Sequence, residues 1–228
     1  MVYRPTEKTR AARAQRRAAL LKEATELVAT GGFAAATVKA IAERSGLSVG
    51  TVYSYFDGNT DLLAAVFRAG ADQELAVIEA AVSRADDAPA RVRALVETFA
   101  MRAIRGRQLA WSLLFEPVDP RIEAERLTYR AAYHRLTTEI LREGIEAGVF
   151  GDQHLGVTAA ALIGAVSESL TGRLSPSHAV TADEEADDRR IVESILRFCF
   201  HGIDYTGDAA RRAPDAPQPT PHTDGTPS

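Results

Sequence analysis

Residues 37–56, TVKAIAERSGLSVGTVYSYF, decide how the rest of this chain is read. Val38, Ile41 and Ala42 fall at helical spacing with Lys39, Glu43 and Arg44 facing away, so residues 37–45 predict a short amphipathic helix. Gly46 stands where a helix end wants a residue that tolerates positive φ. Leu47 supplies the apolar residue of the corner, and Ser48 is placed to cap the next helix by accepting a backbone N–H. That second helix, over residues 49–55, is very short. Val52 and Phe56 turn to the core, and Val49, Gly50, Thr51, Tyr53, Ser54 and Tyr55 make a slim, hydroxyl-rich outer face. A helix–turn–helix needs such a second helix to enter the DNA major groove, where hydroxyls bond phosphates and base edges.

Immediately upstream, Leu20, Leu21, Ala24, Leu27 and Val28 repeat at three and four, predicting a supporting amphipathic helix over residues 16–30 that Gly31 and Gly32 end. Residues 1–15 are polar and basic with no apolar face, and read as a flexible arm whose arginines can reach phosphates or the minor groove.

At these positions the chain resembles the tetracycline-repressor (TetR) family of bacterial transcriptional regulators. The resemblance rests on Gly32, Phe33, Thr37, Ile41, Ala42, Gly46, Ser48, Gly50, Thr51, Tyr53, Tyr55, Phe56, Leu62 and Leu63, in register over residues 14–67. It implies an all-α fold. An N-terminal three-helix DNA-binding domain over residues 16–58 precedes a larger helical ligand-binding and dimerisation domain over 59–205. One position departs from the family pattern. Members usually carry a phosphate-binding lysine three residues after the phenylalanine that matches Phe56, whereas this chain has Asn59 between Asp57 and Asp61. The DNA contacts implied are Thr37, Ser48, Val49, Gly50, Thr51, Tyr53, Ser54 and Tyr55, with Asn59 as the departure.

Composition agrees with a packed helical protein. Of 228 residues 46% are hydrophobic, and the apolar-periodic segments show almost no β-type alternation. The single cysteine, Cys199, leaves no disulfide framework or structural zinc site within one chain. No run approaches eighteen apolar residues and the basic N-terminus lacks an apolar h-region, so the reading is cytoplasmic with no membrane partner. Residues 1–56 carry a net +5 and the remainder −9, a basic head on an acidic body that suits a reader of nucleic acid.

Downstream, a helix capped by Asn59 or Thr60 runs to about residue 84 as the connection between head and body, followed by helices over 90–105, 109–115, 121–147, 153–174 and 189–205. The segment 153–174 is rich in Gly, Ala and Ser, and the last helix is apolar around much of its circumference, with Ile195 and Phe198 expected at a seam between subunits. By resemblance these two helices pair across a two-fold axis, making the protein a homodimer on double-stranded operator DNA. Residues 206–228, rich in Pro, Ala, Thr and Asp, predict a disordered tail, and the acidic run 183–188 a solvated loop.

No catalytic constellation assembles: the five histidines are scattered, and no phosphate loop, nucleophile elbow or dinucleotide fingerprint is present. No cofactor or metal is expected. An effector pocket is, with Trp111, Phe115, Tyr129, Tyr133 and His134 as candidate lining and the effector's identity open. The function implied is a repressor released from its operator by a small molecule. An activator or effector-independent binder of the same fold, or an enzyme with a vestigial head, are the alternatives.

Overall fold

The computed structural model describes residues 7–177 and 187–205. Among them every regular element is a helix: α1 (Glu7–Ala35), α2 (Val38–Ser45), α3 (Val49–Tyr53), α4 (Asn59–Ser83), α5 (Ala88–Arg105), α6 (Arg107–Leu114), α7 (Pro120–Glu146), α8 (Leu155–Leu174) and α9 (Asp188–Gly202). Local chemistry sets most boundaries. Asp87 accepts from Ala90 N–H at 2.8 Å and Asp119 from Arg121 N–H at 2.9 Å, each with a proline in the first helical turn that follows. At the α7 exit Phe150 lies over Gly144, where a Cβ would stand 1.9 Å from the ring.

Two hydrophobic cores form. The smaller joins Leu20, Ala24 and Val28 of α1 to Ile41, Val52 and Phe56, and takes in Leu62 to Ala71 of α4 together with Leu113 of α6 and Ile122 of α7. The larger packs Ile78 and Val82 of α4 with α5, α7, α8 and α9. α4 therefore belongs to both, and the head rests on α6 and α7 as well as on α4.

Three expectations need correction. Residues 7–15, expected in a flexible arm, are helical; apart from Thr9 they are built of Ala, Arg, Lys, Gln and Glu, whose intrinsic preference is helix even without an apolar stripe. Neither Asn59 nor Thr60 caps α4: the cap position is Gly58 at φ 100°, and Asp61 instead accepts from Asp57 N–H at 3.2 Å. Ile195 is only 5% exposed within its own subunit, beside Val192, Leu196 and Cys199, whereas Phe198 is 65% exposed. Residues 1–6, most of the acidic run and the tail 206–228 lie outside the described residues.

α8 is long and apolar enough by composition to cross a membrane. One side of it, Ala159, Leu162, Val166, Leu170 and Leu174, is buried in the larger core, and the opposite side carries Val157, Ala161, Glu168 and Gly172.

Candidate functional site

The corner between α2 and α3 is closed by backbone bonds alone. Gly46 takes φ 64°, and Leu47 N–H reaches back to Ala42 O at 2.9 Å. Leu47 is therefore not needed to fill the corner and stands 36% exposed, near Val49 at 42% and Tyr53 at 48%. Val49 and Tyr53, four apart, share one face of α3 with Gly50, where an added Cβ would meet nothing closer than Ser48 Oγ at 3.9 Å. Apolar surface of this kind matches thymine methyl groups, and the tyrosine hydroxyl can bond a base edge or phosphate.

Several hydroxyls on this face already serve the fold. Thr37 Oγ1 accepts from Ala40 N–H and Ser48 Oγ from Thr51 N–H, both at 3.1 Å, and Ser54 Oγ donates to Thr51 O at 2.7 Å. Ser48, Val49, Gly50, Thr51, Tyr53 and Ser54 come together on one surface. Tyr55 turns inward, half-buried against the smaller core. Arg13 explains why: its guanidinium lies 5.7 Å from the Tyr55 ring centroid and donates to Ser54 O at 2.8 Å, tying α1 to the end of α3. Asn59 is exposed in the first turn of α4, whose N-terminus has no side-chain cap.

Below the head, α1 breaks at Gly32, which adopts φ 73° and ψ −177°, a conformation open to glycine alone. The Phe33 N–H freed by this break donates to the Glu116 carboxylate, at 3.0 and 3.2 Å to its two oxygens. Glu116 follows α6, so this contact clasps the head to the body. Its own carbonyl accepts from Arg126 Nη2 at 2.8 Å, while Arg126 Nε donates to Leu113 O at 2.9 Å. Arg126 is 8% exposed, and burial lowers its pKa, against the opposing pull of Glu123.

Arg126 also lies on the wall of a cavity of about 360 Å3 between α4, α5, α6, α7 and α8. That volume is within the usual range for small-molecule sites, roughly 300–1,000 Å3. Ile78, Leu95, Phe99, Leu109, Leu114 and Ile163 give it an apolar lining. Of the five aromatic and histidine candidates, Tyr129, Tyr133 and His134 line it. Trp111 and Phe115 do not: they pack on each other at 5.5 Å and against the larger core. Tyr129 is tethered through its hydroxyl to Asp72 and to Arg68 O, and burial raises its pKa, helped by the Asp72 bond. His134 Nε2 donates to Gly156 O at 2.9 Å, joining α7 to α8. Tyr133 sets its ring edge-on to Phe99 at 5.9 Å; its pKa is raised, first by burial and then by Glu74 and Glu79. Arg102 and Glu74 form a two-point ion pair on the wall. Cys199 is buried apart from the cavity, and burial pushes its pKa up to about 11, leaving a thiol unsuited to chemistry at neutral pH.

Residue spacing alone left Glu116, Glu74 and Arg126 unassigned to this site and placed Arg13 in the arm that reaches DNA. It offered Arg102 or Arg105 as a counter-charge to an anionic ligand, though more often on the surface; Arg102 does line the cavity, but paired with Glu74. One signal was available for the cavity cations: Arg126 follows Ile122 by four, and Arg102 follows Phe99 by three, each a charge set in an apolar stripe.

Residues 20–66 match the sequence model of the family described as bacterial regulatory proteins, tetR family, and residues 85–171 that of the tetracyclin repressor-like C-terminal domain. The chain is 26% identical over 198 residues to the HTH-type transcriptional activator FasR of Mycolicibacterium smegmatis, covering 85% of each protein. It is 30% identical over 134 residues to the HTH-type transcriptional repressor KstR2 of Rhodococcus jostii, covering 59% of this chain and 65% of that protein. In fold it resembles the transcriptional regulator FadR from Bacillus subtilis, solved in complex with stearoyl-CoA. The TM-score is 0.68 at 20% identity, over 82% of this chain and 98% of that one.

Proposed function

Because this chain belongs to the tetR family of bacterial regulatory proteins and is a DNA-binding transcriptional regulator, we propose that it works in the cytoplasm as a homodimeric repressor. A small molecule in the α4–α8 cavity would release it from its operator, with no catalysis of its own. The observation that carries this reading is the continuous path from cavity wall to reading head: Arg126 on the wall, the Glu116 carbonyl it holds, and the Glu116 carboxylate on Phe33 N–H.

In this reading Val49, Gly50, Thr51, Tyr53 and Ser54 meet the major groove, with Thr37 and Ser48 beside the backbone. The α4 N-terminus at Asn59 faces a phosphate with its free N–H groups. Two such heads must sit about 34–36 Å apart to enter successive grooves. An effector that binds better when the spacing is wrong shifts the population off DNA; one that binds both states equally does nothing. Support for the dimer comes from Phe198 and Val157, 65% and 63% exposed on α9 and α8, with small residues between them on α8 that let a partner helix approach.

The relationship to an activator keeps a second reading in view, in which the same head and cavity recruit rather than block transcription. The test is fluorescence anisotropy on an operator fragment selected from random DNA. A log–log salt slope of about −5 or steeper per dimer is expected. A salt-independent interaction would refute DNA reading by this head. Transcription from a promoter carrying that operator separates repressor from activator by its sign.

A further inference from the structure

The segment from Gly46 to Phe56, GLSVGTVYSYF, holds no Arg, Lys, His, Asn, Gln, Asp or Glu. The side chains that read guanine by two bonds (Arg, Lys), adenine by two bonds (Asn, Gln) or the cytosine amino group (Asp, Glu) are therefore all missing from it. Its short hydroxyls serve the helix itself. Ser48 Oγ and Thr51 Oγ1 stand 2.8 Å apart, Ser48 Oγ also accepts from Thr51 N–H, and Ser54 Oγ donates to Thr51 O. What remains for a groove is apolar surface on Leu47, Val49 and the Tyr53 ring, and one phenol without a hydrogen bond among the described residues.

The charged and amide groups nearby are engaged or belong to other elements. Arg44 bonds Glu23 and Glu26 at 3.0 and 2.7 Å, and Arg13 and Arg17 lie over the Tyr55 and Phe56 rings. Lys39 is 3.9 Å from Glu43 on α2, the helix that crosses the DNA backbone in a helix–turn–helix. Asn59 begins α4, the end given above to a phosphate. Lys8, Arg10 and Arg16 are on α1; a minor-groove contact by any of them would separate A·T from G·C and no more. Gly50 adds a second observation. A Cβ there would meet nothing closer than Ser48 Oγ at 3.9 Å, so the fold leaves room for alanine, which helices prefer. A glycine in this exposed place suits a face against which a base edge lies close.

Such a surface gains by burying methyl groups, and the methyl group of the major groove is the one on C5 of thymine. On the reading that α3 enters that groove, we infer that thymine methyl groups, packed on Val49 and the Tyr53 ring, specify the operator half-site in place of two-point bonds to guanine or adenine. Residues four apart on a helix hold their Cβ atoms about 5–6 Å apart, against a rise of about 3.4 Å per base step. The two thymines therefore lie within about two steps of each other.

The experiment removes methyl groups one at a time. Duplexes that bind the full chain are selected from random DNA, and each thymine of the shared half-site is exchanged for deoxyuridine. That exchange deletes the methyl group and leaves the hydrogen-bonding edges in both grooves unchanged. By fluorescence anisotropy at fixed salt, it should weaken binding about three- to fivefold per contacted methyl group. Deoxyuridine outside the half-sites should change nothing. Exchanging a contacted T·A pair for C·G should weaken binding, and 5-methylcytosine in place of that cytosine should recover about three- to fivefold. Val49→Ala, at an exposed position, should be indifferent to deoxyuridine at one contacted position, and Tyr53→Ala at the other. A selected half-site without such a pair of thymines overturns the inference. So do thymine and deoxyuridine operators bound alike, an equal loss from deoxyuridine outside the half-sites, or a full penalty at every position in both variants. Each of these leaves the groove reading standing. Binding that selects no sequence at all refutes the groove reading, and this inference with it.

Discussion

Replacing Glu116 by alanine removes the clasp between head and body, and the structure sets the size of the effect. Phe33 has one N–H, so its approaches to the two carboxylate oxygens at 3.0 and 3.2 Å count as one shared bond. Phe33 is 6% exposed, so in Glu116→Ala its N–H has little access to water, a loss of roughly 1–3 kcal/mol. Glu116→Gln keeps an acceptor without the charge and should cost about half as much. At about 2–4 °C per kcal/mol for a chain of this size, Glu116→Ala should melt several degrees lower, with Glu116→Gln between it and the parent. Gly32→Ala attacks the same contact from the other side: its Cβ would stand 2.9 Å from Glu116 Oε2, at a φ of 73° that alanine avoids.

The functional consequence is separable from stability. Arg126 and Leu113 line the cavity and bond to one another and, through Arg126, to Glu116 O, so a ligand that shifts them shifts the clasp. Allosteric couplings are typically about 1–3 kcal/mol, and loss of about 1 kcal/mol reduces the ligand-induced change in operator affinity roughly fivefold. Operator binding by Glu116→Ala is followed by anisotropy with and without a small molecule first selected by screening for binding to the parent protein, below the melting range. Both ligand and operator should still bind, with the change in operator affinity sharply reduced. Full coupling in a variant that has lost the expected stability would refute the clasp as the link.

Three further outcomes follow from exposure and charge. Tyr53→Ala, at a position 48% exposed, should weaken operator binding by roughly 1–3 kcal/mol and leave the circular dichroism spectrum intact; collapse of helix content would place Tyr53 in the core. Asn59→Lys should tighten binding to operator and random DNA alike and steepen the salt slope by about 0.9 per subunit, less whatever Asp57 and Asp61 take by pairing with it; an unchanged slope would turn position 59 away from the backbone. Phe198→Glu should yield folded monomers by light scattering, whereas Ile195→Glu, placing a charge in the subunit's own core, should unfold the chain; a stable Phe198→Glu dimer would move the interface elsewhere.

The elements that depend on neighbours in the chain were legible without a structure. Caps and turns act over three or four residues, so Gly46 and Ser48 announce the corner and the helix after it, and apolar periodicity names the buried face of most helices. The all-helical fold and the helix–turn–helix followed from that. Residues 7–15 carry no such periodicity, yet a helix without an apolar stripe forms where its composition favours it and Arg13 and Arg17 anchor it to Tyr55 and Phe56. The cavity was legible only in part. Trp111, Phe115, Tyr129 and Tyr133 are all large residues on body helices, and nothing local says that the first two pack together while the others face a void. Their fate is set by how α6 and α7 are rotated against α4, α5 and α8. The same holds for Ile195 and Phe198, three apart on one apolar helix, of which α8 and the larger core cover only the first. Glu116 and Phe33 are 83 residues apart, and only the packing of α6 against α1 brings that carboxylate to the N–H exposed by the Gly32 break. Sequence carries the periodicity of a helix, but which groups meet across helices is decided by the close packing of side chains from distant parts of the chain.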